Sequence, residues 1–384
     1  MTLISTYIET PFQQPLLANH SFDSLIVDLP FCSVRPHIPY DWSNEELENL
    51  TQLKFQHLVL NCDGLYSDAE LAIIKLTIRD RNLDKLFTAF RVQDPGLIQW
   101  IKDQFPQLKV QCNPETGIQN QFAIRQLFDM GVSLISINHE IPFQQLQRIS
   151  NTFPEQNKEV LVQGPILIQY SRRRFLTDFY DKDSNETLRF TAEDQELPLR
   201  KFTFLNTIFG HFMFAQFQRC LGRHINQLQT LPRVSWLIDA RGESIQYFST
   251  ALALYSNSSD HSSETVETYI KTLHSESKKP QKPGFFISNN TDYDWRNLEK
   301  RPTSIGQVLS VKKDDAIIIQ FSIPVNIDDT IDCYNPDRSI IALPLTGLKN
   351  IDDQYVTDIH AFTLYLLAPI KGIQVKGQLY FKNS

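Results

Sequence analysis

The chain has 384 residues, of which 41% are hydrophobic and 21% charged, a globular balance that excludes a disordered, collagen-like or coiled-coil protein. With 37 Lys and Arg against 44 Asp and Glu the net charge is −7, which excludes a broad electrostatic grip on nucleic acid and leaves room only for a local basic patch. At roughly 100–200 residues per domain, the length fits two domains or one large domain with an appendage.

SLIVDL (24–29) reads as a strand. SNEELENLTQL (43–53) follows as a helix with Ser43 and Glu46 in capping-box spacing. HLVLNC (57–62) is the next strand, and SDAELAIIKLTIRD (67–80) an amphipathic helix with a Ser cap and an acidic first turn. The alternation continues through LFTAF (86–90), the Asp-Pro-opened helix 94–106, LKVQC (108–112), helix 119–131, SLISIN (133–138) and helix 142–153. EVLVQGPILIQYS (159–171) and VSWLIDAR (234–241) are later strands. Repeated β-α steps with short links predict a parallel sheet covered by helices, either open or closed into a barrel. At least seven steps before residue 255, and no Gly-x-Gly-x-x-Gly after the first strand, favour the barrel.

The aromatic run 202–217 has Phe at 202, 204, 209, 212, 214 and 217 and reads as core, with base stacking the alternative. The Ser-, Lys- and Pro-rich stretch 256–283 reads as a linker with a short helix. After about residue 302 short β-rich runs broken by Asn-Pro, Asp-Asp and Lys-Gly turns predict a small antiparallel barrel or sandwich. The expected organisation is therefore an α/β, (β/α) TIM-barrel-like domain over 1–255, a connecting segment over 256–301 and a C-terminal β-barrel over 302–384.

No apolar run reaches the length of about 18 residues that a bilayer requires. The first ten residues carry no Lys or Arg and lack a signal peptide's basic and apolar regions. Five cysteines, at 32, 62, 112, 220 and 333, are odd in number and widely spaced, which argues against a disulfide framework; no Cys-x-x-Cys is present. The expectation is a reduced, cytoplasmic protein.

Several segments together resemble one family. TAFRVQDPG (88–96) and its helix, the Asn-capped stretch Asn120–Glu140, EVLVQGPILIQYSRRR (159–174) and LIDAR (237–241) are similar, in order and spacing, to segments of the collagenase-like peptidase family U32. The C-terminal IGQV, NIDDTIDCYNP and QLY resemble the accessory β-barrel of longer members. The resemblance implies a choice of chemistries: peptidase by name, or oxygen-independent hydroxylation of tRNA or rRNA bases or of a quinone precursor. Four cysteines hold a [4Fe–4S] cluster in some members. Here the signature Gly, Arg and Cys correspond to Arg172, Arg173 and Arg174, and only Cys32 sits where a ligand would fall. An iron–sulfur cluster needs a complete thiolate set, so no cluster and no other cofactor is expected.

Barrel chemistry belongs at the C-terminal ends of strands. That rule selects Cys32, Arg35, Asp63, Asp94, Cys112, Asn113, His139, Glu140, Tyr170, Ser171, Arg172, Arg173, Arg174, Asp239 and Arg241. The catalytic expectation is Glu140 with Cys32 and Asp239. Arg35, Tyr170, Ser171, Arg172–Arg174 and Arg241 are expected to hold an anionic ligand or RNA. The competing readings are structural. The three arginines answer the acidic DKDSNE (181–186) in solvent, Glu140 ties strand ends to Arg241 or Arg35, and Cys32 is a small buried hydrophobe. His211, His224 and His261 lack zinc-site spacing. Three functions stand: a modification enzyme acting on RNA or a small aromatic precursor, a peptidase, and a scaffold or accessory subunit that works with a protein partner.

Overall fold

The computed structural model describes residues 3–18, 20–34, 40–115, 117–173, 188–193, 201–207, 209–256, 262–287, 304–312, 315–335 and 339–382. Arg35, His37, Arg174, DKDSNE and His261 lie outside them. The chain divides into two compact units, one of residues 1–192 with 201–289 and one of residues 193–200 with 290–384.

The first unit is a closed, all-parallel, eight-stranded barrel. Its strands are β1 (Ile4–Ile8), β2 (Ser24–Asp28), β3 (His57–Cys62), β4 (Ala89–Val92), β5 (Lys109–Cys112), β6 (Leu134–Ser136), β7 (Asn157–Ser171) and, much later in sequence, β11 (Val234–Ile238). Each pairs with the next, and β11 closes the ring between β7 and β1. β1 lies in the N-terminal segment that sequence reading left without an element. It is too short and polar to announce itself, and it becomes a strand because β2 and β11 need a partner between them.

Helices α1 (Asn44–Leu50), α2 (Asp68–Asp80), α3 (Pro95–Gln104), α4 (Gln121–Asp129) and α5 (Phe143–Thr152) cover the outside. Their starts follow the sequence closely. Ser43 and Ser67 form complete capping boxes with Glu46 and Glu70. Asp94 caps the Pro95-led helix, and Asn120 accepts from Phe122 and Ala123. Each cap satisfies backbone N–H groups that would otherwise lack a partner. Helices α6 (Ile245–Ser256) and α7 (Ser263–Ser277) complete the unit, with Ile270 and Leu273 of α7 joining the same core as the barrel.

Strand side chains alternate between two cores. Leu25, Val27, Leu58 and Leu60 pack outward under the helices. Tyr7, Ile26, Val59, Ala89 and Leu237, with Leu161 beside them, fill a separate layer inside the barrel. One inward step further along the strands the filling turns polar: Asp28 lies beside Asn61, and Asn61 beside Arg91.

β7 does not stop at the barrel. A bulge between Leu161 and Gln163 precedes Gly164, and the strand then runs on to Ser171 as part of an antiparallel arm with β10 (Gly210–Cys220), β9 (Lys201–Thr207) and β8 (Leu188–Glu193). The aromatic run lies on this arm, where Phe212 is buried and packs with Tyr170 and Phe214. Gly164 has φ +142°, and a Cβ there would sit 2.6 Å from the carbonyl oxygen of Asp239. Glycine is what lets β7 leave the ring while the end of β11 stays close.

The second unit is a curled antiparallel half-barrel. Its six-stranded sheet includes strands at Gly306–Val311, Ile317–Phe321 and Ile331–Tyr334. Alternating Ile317, Ile319 and Phe321 meet Ile331, Cys333 and Leu379 in its core. Among the described residues, no helix is long and apolar enough to cross a membrane.

Candidate functional site

The C-terminal mouth of the barrel is built around Arg241. The residue follows β11 and is 3% exposed. Its Nη2 and Nε donate to the two oxygens of Asp239 at 2.7 and 2.9 Å, and its Nη1 donates to Asp28 Oδ2 at 2.7 Å. The guanidinium lies 3.5 Å from the ring centroid of Tyr7. The planar fork thus bridges strands β2 and β11 while its face rests on an aromatic ring from β1. Burial alone would oppose the charge, but Asp239 and then Asp28 hold Arg241 firmly protonated.

The network extends across the mouth. Asn61 Nδ2 donates to Asp28 at 2.7 Å and to Asp63 at 3.0 Å. Asp63 also accepts from Ser33 Oγ at 3.0 Å and from the Val34 backbone at 2.8 Å. At the rim, Glu9 accepts from Gly242 N. Burial raises the Glu9 carboxyl above its ordinary value against that hydrogen bond and Arg241, which suits it to hold or release a proton. Asp28 and Asp239 share the Arg241 guanidinium, and Asp63 joins them through Asn61. The mouth is therefore an acceptor-rich surface of fixed carboxylates, able to orient N–H groups of a ligand.

A second ion pair lies deeper. Arg91 and Glu159 are fully buried and 2.6 Å apart, and Ser136 Oγ bridges them, accepting from Arg91 and donating to Glu159, both at 2.6 Å. A third buried cation, Arg219 of β10, has no carboxylate partner among the described residues. It donates to the His139 carbonyl at 2.7 Å and faces Phe286, and burial lowers its pKa to about 10.

The structure gathers only part of the residue set selected from sequence. Asp239, Arg241 and Asp63 belong to one network. Among the described residues Glu140 makes no contact with it: its side chain accepts from Gln119 at 3.0 Å and its backbone N–H donates to Asn138, while Arg241 is held by Asp28 and Asp239. Cys32 is fully buried in the outer core beside Cys62, whose thiol this neighbour and burial push well up. Tyr170 donates to the Phe209 carbonyl, and Ser171 Oγ accepts from the Arg173 backbone, both on the arm. Arg172 is exposed and forks onto Glu70 at 2.6 and 2.8 Å, with a further bond to the Leu65 carbonyl. Arg173 is exposed as well. Asp94 caps α3, and His139 and Asn113 are buried. Arg172 thus ties the arm to the start of α2 and does not enter the Arg241 network.

Sequence reading passed over Asp28, Asn61, Tyr7, Glu9, Arg91 and Glu159. A signal was present for the first two: a single polar residue at an inward phase of an otherwise apolar parallel strand must be satisfied inside the barrel.

All five cysteines are buried free thiols, and Cys32 and Cys62 lie side by side within an apolar core. Among the described residues no three His, Cys, Asp or Glu side chains gather as metal ligands.

Known proteins resemble parts of this chain. A stretch of the chain is 25% identical over 99 residues to tRNA hydroxylation protein P of Escherichia coli K12, covering 26% of this chain and 22% of that one. The protein of the same name from Haemophilus influenzae is 24% identical over 116 residues, covering 29% and 25%. The alignments thus span about a quarter of these curated relatives. A solved U32 peptidase is similar over 43% of this chain and 69% of its own, with 13% identity and a TM-score of 0.35. Residues 17–296, the greater part of the chain and nearly all of the barrel, match Peptidase family U32, and the chain belongs to that family.

Proposed function

We propose that this chain takes part in a hydroxylation-type modification of tRNA, with the C-terminal mouth of the barrel receiving the base. The observation that carries this reading is the match, within family U32, to two relatives both named as tRNA hydroxylation proteins. The mouth suits a base. Asp28 and Asp239 are held rigid by Arg241 and can accept from its N–H groups, while Glu9 at the rim exchanges a proton. Replacing hydrogen by hydroxyl adds an oxygen atom and removes two electrons, and the described side chains of the mouth supply neither, so the reaction takes an oxygen-donating co-substrate and a two-electron acceptor. In this reading the chain works in the cytoplasm and without its own iron–sulfur cluster. Local cations, not the net charge of −7, meet the RNA phosphates.

The test is mass spectrometry of tRNA nucleosides from a deletion strain. One nucleoside should lose the mass of an oxygen atom, wild-type chain should restore it, and Asp28→Asn should not. An unchanged nucleoside profile in the deletion strain overturns the proposal and leaves the scaffold reading. Protein purified anaerobically should be colourless; a brown preparation with cysteine-ligated iron overturns the cluster-free reading.

A further inference from the structure

The opposite end of the barrel holds a cavity of about 460 Å³, within the size range of small-molecule sites. In this fold the N-terminal face ordinarily serves stability alone. Two features of the cavity do not serve stability.

The first is open polarity. Ser5, Ser24 and Gln111 line the cavity and are 4%, 7% and 5% exposed. Among the described residues their side chains make no hydrogen bond, and their polar atoms are not sealed off, so they face the open space of the cavity. Three donors and acceptors from β1, β2 and β5 thus converge on one space.

The second is uncompensated positive charge. Lys109 Nζ has one polar partner, His57 Nε2 at 3.2 Å, whose other nitrogen meets Thr88 Oγ1. Burial and then Lys109 lower the His57 pKa, which favours the neutral imidazole, so this contact brings Lys109 no counter-charge. Arg233 lines the same cavity and reaches a carboxylate, Glu155, only at 3.6 Å. The other charged lining groups are already engaged. Asp23 accepts from the Ile4 backbone and from Gln56, and Lys158 donates to the carbonyls of Phe153 and Gln156 at the end of α5. The Lys158 contacts are ordinary neutralisation of a helix C-terminus; the Lys109 contact is not.

We propose that the N-terminal mouth of the barrel is a binding site for a small oxyanion-bearing molecule, a phosphate or a carboxylate. Lys109 and Arg233 meet the oxyanion, and Ser5, Ser24 and Gln111 bond the polar remainder. The site is separate from the C-terminal mouth and independent of the tRNA reading.

The experiment uses the full chain. Potassium phosphate and potassium citrate are each titrated against potassium chloride at matched ionic strength, with thermal melting and calorimetry as readouts. A saturable rise in melting temperature with one of the two probes is expected, and which probe acts identifies the class of oxyanion. Lys109→Met, at an exposed position that leaves the core untouched, should weaken Kd at least tenfold, and Lys109→Arg should restore most of it. Gln111→Leu should weaken binding without abolishing it. The proposal is overturned if neither probe exceeds chloride, or if Lys109→Met binds as tightly as wild type.

Discussion

Replacing Arg241 with Met removes the cation that Asp28 and Asp239 share while keeping a long apolar stem over Tyr7. Asp28 and Asp239 are then buried without their shared partner, each having lost contacts of 2.7 Å. Breaking one side of a buried ion pair costs about 3–5 kcal/mol, because the remaining charge is left uncompensated. At about 2–4 °C per kcal/mol for a unit of this size, the first melting transition should fall by roughly 6–20 °C near pH 7. The assay is differential scanning calorimetry of Arg241→Met, Asp28→Asn and the double variant. The double variant should be less destabilised than the sum of the singles, since Asp28→Asn relieves part of the stranded charge. Arg241→Lys keeps the charge but loses the fork, and should fall between wild type and Met. A shift below about 2 °C for Arg241→Met, or strict additivity in the cycle, refutes the claim that this network holds the strand ends together.

Other consequences follow from neighbouring features. Glu159→Gln strands Arg91 in the barrel interior and should cost about 3–5 kcal/mol in denaturant unfolding, whereas Arg91→Met with Glu159→Leu together should cost far less. Gly164→Ala places a methyl 2.6 Å from the Asp239 carbonyl at φ +142° and should lower both stability and tRNA modification, since it displaces Asp239. Arg172→Met breaks an exposed pair and should change stability by less than about 1 kcal/mol. Against desolvation, hydrogen bonds from Ser67 and then Arg172 hold Glu70 down at about 2. Its stabilisation is complete above the ordinary carboxylate range and is lost as pH falls toward 2, so the Arg172→Met difference should shrink on acidification. Glu9 has the opposite sign. Its native pKa is raised, so its contribution is full below the unfolded value and declines as pH rises. Glu9→Gln should therefore match wild type at acid pH and gain on it toward neutrality, read as melting temperature against pH.

The sequence carried the architecture because its signals are local. Capping residues Ser43, Ser67, Asp94 and Asn120 state where helices begin, and apolar runs such as HLVLNC state where strands lie. Their alternation dictates a parallel sheet, and their number before residue 255 closes it. The strand at Ile4–Ile8 was not legible, since five residues with three hydroxyls identify themselves only by their neighbours. The arm was not legible either, because β7 reads as one continuous run and only Gly164 marks where it changes partner.

The site divides the same way. Strand-end position alone was enough to select Asp239, Arg241 and Asp63. What those residues touch depends on barrel closure, which brings Asp28 within 2.7 Å of Arg241 across 213 positions of sequence. Three consecutive arginines suggested a shared anion site, yet strand direction takes Arg172 out along the arm to Glu70. Charge and periodicity are properties of neighbours along the chain and can be read there. Which guanidinium meets which carboxylate is a property of register and curvature, and only the closed ring decides it.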